Sequence, residues 1–450
     1  MEAADSKPLL PLNSQDLRLG MYIHLNCSWF LHPFPRQHFL LTSENQIATI
    51  RGLGLSSLLL DPARSTPESL QDASPVSSSS SGHAQFGTGD RDRPSGSPAQ
   101  TSETTWPSPT DGLHSGQSNA GFHQGLRQAA QTYEEAARHL KQAISDLHAG
   151  SEEGLAAAKT VTNKLAHVLL DDRLAGSIVG LLGSPKMEER DVLHALNVSC
   201  LAMMVGQQFA LSVEDLKILG IGALLHDIGE QQLPPDLRAR RELLTPEESE
   251  SYRKHPALGV ALLSSLSAFP QEALRMIESH HERIDGSGYP DQLKEEYLSF
   301  FTKIVMVVDE YDILINHKDP EHRMTHADAL SYLYRTAQTT LDPDVIAGLV
   351  QTLTVYPPGT IVELVSGAYA LVLNINRQAR MKPLVLLYTA QADAKAPVIV
   401  DLMQDRSRSI ARRPPLGELP ARVRDYLNMH RWTSYFLAAP EEPKLLPDMG

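Results

Sequence analysis

Apolar positions along the chain recur with two different periods, separated by a stretch that has neither. Phe122, Leu126, Ala130, Tyr133, Ala137, Leu140, Ile144 and Leu147 follow steps of three and four, which predicts an amphipathic helix over 122–149 ended by Gly150. The seam is thin because several of its positions are Ala, and it suits equally a helix lying on its own domain and a two-chain coiled coil that would make a homodimer. Val161–Leu182 predicts a second helix, and a third starts at Asp191. Helical spacing then persists to about Leu353, with Pro and Gly marking joints at 185, 234, 256, 270 and 290. Near the start, Met21-Tyr22-Ile23-His24-Leu25 alternates like a strand, Gln46–Gly54 has helical spacing and Leu58-Leu59-Leu60 is apolar, so residues 1–62 predict a small α/β unit. Residues 63–120 turn to Ser, Pro, Gly and Thr, with too few large apolar side chains to offset the entropy of ordering, and predict a flexible linker in which Trp106 is incidental. After Tyr356 the runs at 360–365, 370–373 and 384–388 are β-rich. They predict a small antiparallel sheet or barrel within a unit over 354–436, which closes on a segment, Leu419–Phe436, helical at its start; 437–450 reads as a tail. The expected class is mainly α: a helical segment over 121–182 leading into a bundle over 183–353, flanked by the two small units.

Composition narrows the function. A chain of 450 residues with 42% hydrophobic content can supply one large core or several modest ones. A net charge of −14 argues against binding a nucleic-acid polymer, which requires a basic face. Cys27 and Cys200 are far apart and indicate neither a disulfide framework nor a Cys-based metal site. The first residues lack the pattern of a signal peptide, and no run approaches the roughly 20 apolar residues that span a bilayer, so the expectation is a cytoplasmic protein without membrane attachment.

The chemistry concentrates at Ser279–Pro290, which sets His280 and His281 beside carboxylates and glycines. Adjacent imidazoles diverge by about 100° around a helix, so the two can serve one centre only across a second ion or a distorted turn. A dinuclear site fits better than a single zinc. His226 and Asp227 end an apolar helical run, and neutral imidazole beside carboxylate suits Fe, Mn or Zn. His194, His255 and Asp309 complete the candidate set.

These stretches are His194-x-x-Asn197-Val198, LLHDIGE at 224–230, KHPALG at 254–259, HHERIDGSGYP at 280–290 and VVDEYD at 307–312. In that order and spacing they resemble the HD-GYP family of metal-dependent phosphohydrolases over about 180–350. The pieces LRLGMYIHL, CSWFLHPF and LLLD, with Trp29, His32 and Phe34, resemble the small domain of unknown function that often precedes such domains. The resemblance implies two divalent transition-metal ions, Fe or Mn first and Zn, Ni or Co as alternatives. One ion would take His194, His226, Asp227 and Asp309; the other would take Asp227, His255, His280 and His281. Asp227 would bridge, with His226 and Asp227 at the centre of catalysis. The implied reaction is hydrolysis of cyclic di-GMP to pGpG or GMP by water, with no side-chain nucleophile. Gly288, Tyr289 and Pro290 would meet GGDEF-domain diguanylate cyclases, and Glu282 and Asp285 would support the ligands as acceptors. Glu230 stands where the family usually has Lys, a position beside the substrate phosphate, which leaves Arg240 or Arg241 to compensate. Lys318 lies in a segment, His317–Glu321, that replaces the family's Arg-Pro-Tyr-Arg. Arg190 stands where trinuclear members have Glu, which favours two ions over three. The alternative expectation is a degenerate domain that senses nucleotide or metal and works by protein interaction.

Overall fold

The computed structural model describes residues 9–25, 38–41, 44–52, 58–66, 116–182, 190–240, 243–266, 269–377, 379–388 and 397–438. The segment with Trp29, His32 and Phe34, most of the Ser/Pro/Gly-rich stretch including Trp106, Arg241 and the tail from 439 lie outside the described residues. The chain divides into two compact units, Met1–Leu113 and His114–Gly450.

In the first unit, β1 (Leu10–Leu12), β2 (Tyr22–Leu25), β3 (His38–Leu40) and β4 (Leu58–Leu60) form an antiparallel sheet in the order β1-β4-β2-β3, beside the helix α1 (Glu44–Gly52). The alternation expected around Tyr22 is present: Ile23 and Leu25 are buried, and they share a core with Met21, Ile47, Ile50 and Leu58.

The second unit begins with α2 (Gly116–His148), which packs on α3 (Glu152–Leu169) and α4 (Asp172–Leu181). The single helix expected over 161–182 is therefore two. Ser151 caps α3 by accepting from the Glu153 N–H, and the Asp171 carboxylate accepts from the Leu174 N–H at 3.3 Å, restarting the chain as α4 in a new direction. The face of α2 carrying Leu126, Ala130, Tyr133, Leu140 and Leu147 is buried within its own chain. Of the two readings of that seam, the structure shows the helix lying on its own domain, with α3 and α4 packed on it.

The bundle continues through α5 (Arg190–Gln208), α6 (Val213–Leu224), the short α7 (Pro235–Ala239) and α8 (Pro246–Tyr252), α9 (His255–Ser264), α10 (Gln271–Ser279), α11 (Phe300–Ile315), α12 (His326–Thr336) and α13 (Pro343–Leu353). Three of the expected joints begin helices: Pro234 and Pro270 occupy N-cap positions and Pro256 sits in the first turn of α9, where a missing N–H costs nothing, while the joint at 185 lies outside the described residues. Beyond the bundle, β5 (Ile361–Leu364), β6 (Tyr369–Asn374), β7 (Leu384–Leu387), β8 (Ile399–Asp401) and β9 (Ile410–Arg412) form an antiparallel sheet in the order β8-β7-β6-β5-β9. The sheet has its own core of Val362, Val372, Val385 and Leu402. Then α14 (Ala421–Tyr426) and α15 (Met429–Ala438) return to the start of α2, where Phe436 meets Phe122 edge to face at 5.4 Å. Among the described residues, no helix is long and apolar enough to cross a membrane.

Candidate metal centre

Helix ends build the site. α6 unwinds after Leu224 and delivers His226 and Asp227 into a short 3-10 turn, Ile228–Gln232. α9 begins at His255, α10 ends at Ser279 with His280 as its C-cap, and α5 and α11 supply His194 and Asp309 from their lengths. The turn after Asp227 lies almost against α9: a Cβ on Gly229 would stand 2.0 Å from the His255 carbonyl oxygen. Only glycine permits that approach, which sets Asp227 next to His255.

The expected ligands fall into two groups, Asp227 with His255, His280 and His281, and His194 with His226 and Asp309. Asp227 faces both. Its Oδ1 is 3.3 Å from His255 Nε2 and 3.2 Å from His280 Nε2, while its Oδ2 is 3.3 Å from His226 Nε2 and 3.7 Å from His194 Nε2. Asp309 Oδ1 lies 3.2 Å from His194 Nε2. His280 and His281 reach the same group because the helix has already ended between them, which is the distorted turn rather than a division of the pair between two ions.

Tautomers follow from the far side of each ring. His226, His255 and His280 donate Nδ1–H to the carbonyls of Ala223 at 2.7 Å, Tyr252 at 3.0 Å and Ile277 at 2.8 Å. His194 Nδ1 donates to Asp312 Oδ2 at 2.7 Å. With Nδ1 turned outward, the Nε2 of each of these four rings faces inward. His194 and His226 oppose theirs at 3.3 Å, as do His255 and His280. His281 Nε2 and Asp227 Oδ1 are buried with no hydrogen-bond partner. Lone pairs facing one another in a buried pocket repel unless a cation stands among them, so a divalent ion fits each group.

Charge in the metal-free site is arranged the same way. Burial opposes ionisation of Asp227, yet His226 and the other imidazoles around it hold its carboxyl well below the usual range, and His194 does the same for Asp309. Burial works against the charged forms of His194, His226 and His255, but the adjoining carboxylates outweigh it and raise all three. For His280 and His281, burial together with neighbouring imidazoles prevails and lowers both, His281 strongly.

Other expected residues sit differently. Glu230 is buried and accepts a short hydrogen bond from the Tyr252 hydroxyl, the residue whose carbonyl orients His255. Arg240 is exposed and paired with Glu248 at 2.8 Å, and Lys318 is exposed on the loop after α11. Arg190 donates to the Asn316 carbonyl at 2.6 Å. Glu282 does not stand behind a ligand ring; its two oxygens accept the backbone N–H groups of Asp291 at 2.7 Å and Leu293 at 2.9 Å and so buckle the loop closed. Asp285 is exposed and accepts from Ser287. Within the loop, whose Tyr289–Pro290 bond is cis, Tyr289 turns inward and stacks on His281 at 4.7 Å, while Pro290 is exposed. A Cβ on Gly288 would lie 2.4 Å from the Glu282 Cα, so the loop closes only with glycine there. Sequence reasoning missed Asp312 and Asn197. Both carried a signal, since Asp312 is three residues from Asp309 and Asn197 three from His194, each pair on one helix face.

Residues 179–345 match the family model described as HD domain, and residues 11–158 match the domain of unknown function DUF3391. A curated cyclic di-GMP phosphodiesterase of Pseudomonas aeruginosa is 26% identical over 439 residues, 95% of this chain and 98% of that protein. The cyclic di-GMP phosphodiesterase response regulator RpfG of Xanthomonas campestris is 35% identical over 155 residues, 34% of this chain and 41% of its own length. Among solved structures, an HDG"Y"P protein of Bdellovibrio bacteriovorus aligns with a TM-score of 0.43 and 16% identity, over 76% of this chain and 98% of that one.

Proposed function

As a chain whose HD domain is of the HD-GYP type and stands behind a DUF3391 domain, this protein is, we propose, a cyclic di-GMP phosphodiesterase that uses two divalent metal ions. The observation that carries the reading is Asp227, which offers one carboxylate oxygen to each of two facing groups of imidazoles. His194, His226 and Asp309 would complete one ion's protein ligands, and His255, His280 and His281 the other's. Fe or Mn suits this nitrogen and oxygen set, and Zn, Ni and Co are compatible with it.

Bound ions of this kind supply Lewis acidity, which lowers the pKa of a water toward neutrality and offsets charge on phosphate oxygens. The protein's part is to hold that chemistry in place. The backbone carbonyls of Ala223, Tyr252 and Ile277 fix the ring orientations, and Asp227 keeps its charge at any pH at which the imidazoles are neutral. No nucleophilic side chain is required, because water serves as the nucleophile that opens a 3′–5′ phosphodiester of the cyclic dinucleotide. Linear pGpG is the first product, and a second hydrolysis would give GMP.

We infer that Arg253 joins the residues offered to substrate. Arg240 is engaged by Glu248 and Glu230 is buried on Tyr252, while Arg253 is exposed, with its guanidinium 5.0 Å from the centroid of the Tyr289 ring that covers His281. A guanidinium there suits a phosphate oxygen or a guanine edge. Pro290 and the exposed part of the loop remain the surface offered to a diguanylate cyclase domain.

The test is turnover of cyclic di-GMP by the full chain after chelation and reloading with Mn(II) or, anaerobically, Fe(II), with linear and mononucleotide products resolved chromatographically. Metal-dependent appearance of pGpG or GMP supports the reading. Tight binding of cyclic di-GMP without product would instead identify a nucleotide sensor.

A further inference from the structure

We propose that Tyr133, on α2 and some sixty residues before any ligand, is a positioning residue for the His194 side of the metal centre; the inference rests on the two-ion reading above. Tyr133 is buried, and its hydroxyl donates to Asn197 Oδ1 in a short hydrogen bond. Asn197 Nδ2 donates to Asp312 Oδ1 at 2.7 Å, and Asn316 Nδ2 donates to the same oxygen at 2.8 Å. Asp312 Oδ2 then accepts His194 Nδ1–H at 2.7 Å. The chain of bonds runs unbroken from α2 to a ligand ring.

The tyrosine contributes the anchor that holds a correctly turned Asn197 in place. A carboxamide can present either its oxygen or its nitrogen to a neighbour, and an Asn197 flipped end for end would set two acceptor oxygens against each other at Asp312. The Asp312 carboxylate, which only accepts, draws Nδ2 toward itself, and the Tyr133 hydroxyl, with the Leu193 carbonyl 3.4 Å away as its other acceptor, holds Asn197 Oδ1 on the far side. Asp312, with Oδ1 doubly satisfied, leaves Oδ2 to hold the His194 proton on Nδ1, and His194 Nε2 is thereby aimed at Asp309 and Asp227. The other rings are fixed differently: His226, His255 and His280 take their tautomers from carbonyls three residues back in their own chain segment. Of these four histidines, His194 alone is oriented through side chains that lead to another helix. α2 lies within residues 11–158, the part of the chain that matches DUF3391, so the bonds link that part of the sequence to the His194 side.

The experiment is stepwise Mn(II) binding to the full-length protein, measured by calorimetry against a competing chelator, for wild type, Tyr133→Phe and Asp312→Asn, with His194→Ala marking which binding step belongs to the His194 side. Loss of an outer partner of a metal-bound histidine typically weakens metal binding by about 10–100-fold. Tyr133→Phe, one bond further out, should weaken the His194-side step by about tenfold and leave the other within twofold, with Asp312→Asn weakening the same step more. Phe keeps the ring and its packing, and thermal unfolding of the metal-free variant separates stability from metal binding: a purely structural tyrosine would lower the melting temperature and leave both constants alone. Unchanged constants, or an equal fall in both, would overturn the proposal while Asp312→Asn still reports on the centre. If Tyr133→Phe did not fold, Asn197→Leu carries the same expectation. Absence of two binding steps in wild type would instead sink the two-ion reading itself.

Discussion

Replacing Asp227 by Asn tests whether one carboxylate serves two ions, because Asn keeps the shape and removes the charge. A unit positive charge held at the 3.3 Å that separates Asp227 Oδ2 from His226 Nε2 interacts with a carboxylate by about 5 kcal/mol at an effective dielectric constant of about 20. The same separation recurs between Oδ1 and His255 Nε2. At about 1.4 kcal/mol per decade, each ion would lose on the order of a thousandfold or more in affinity. Asp309 touches one group only, so Asp309→Asn should release one ion and keep the other. The assay is elemental analysis of anaerobically loaded protein after gel filtration: about two ions per chain for wild type, about one for Asp309→Asn and close to none for Asp227→Asn. An Asp227→Asn protein that kept both ions, or lost only one, would refute the bridging geometry from which the mechanism is built.

Three further outcomes follow from named contacts. In metal-free protein His280 and His281 resist protonation, so as pH falls below the ordinary imidazole value of about 6.5 the unfolded chain takes up protons that the folded one refuses, and stability drops. His194, His226 and His255 have raised values, and the stability they give is present below about 6.5 and fades as pH rises through their folded values, so melting temperatures in chelator should peak near that pH. Gly288→Ala would place a methyl 2.4 Å from the Glu282 Cα, and the resulting overpacking should cost about 1–3 kcal/mol in chemical denaturation and lift Tyr289 off His281; unchanged stability would show that the loop yields freely. Tyr252→Phe removes a hydroxyl from the buried Glu230, and since hydrogen bonds to charged groups contribute about 1.5–3 kcal/mol, a loss of that order in urea titration is expected; no loss would mean Glu230 is protonated or satisfied elsewhere.

The clustered histidines and aspartates were legible because each sits in a short stretch whose composition has few structural explanations, above all His280-His281 and His226-Asp227. Their division into two groups was implied by the family resemblance, and the structure clusters the same residues. What stayed hidden was contributed from far away in sequence. Nothing in the period of α2 says that Tyr133 spends its hydroxyl on Asn197, and nothing in the run at 58–60 says that β4 lies between β1 and β2. Glu230 misled for a related reason: a residue type foreign to its motif reads as a defect until its partner, Tyr252 from a different helix, is seen. The break at Leu170–Asp171 was carried by a weak local signal, one capping carboxylate, against a continuous apolar pattern on either side.

The central claim is that hydrolysis needs both ions held around Asp227, and the measurement closest to it is the rate of cyclic di-GMP hydrolysis followed as metal-free protein is titrated with Mn(II) or Fe(II), with ions per chain determined in the same samples. The account predicts negligible turnover up to about one ion per chain and a rise that tracks the second equivalent to a plateau near two. Full activity at one ion per chain, or none with two bound, would contradict it.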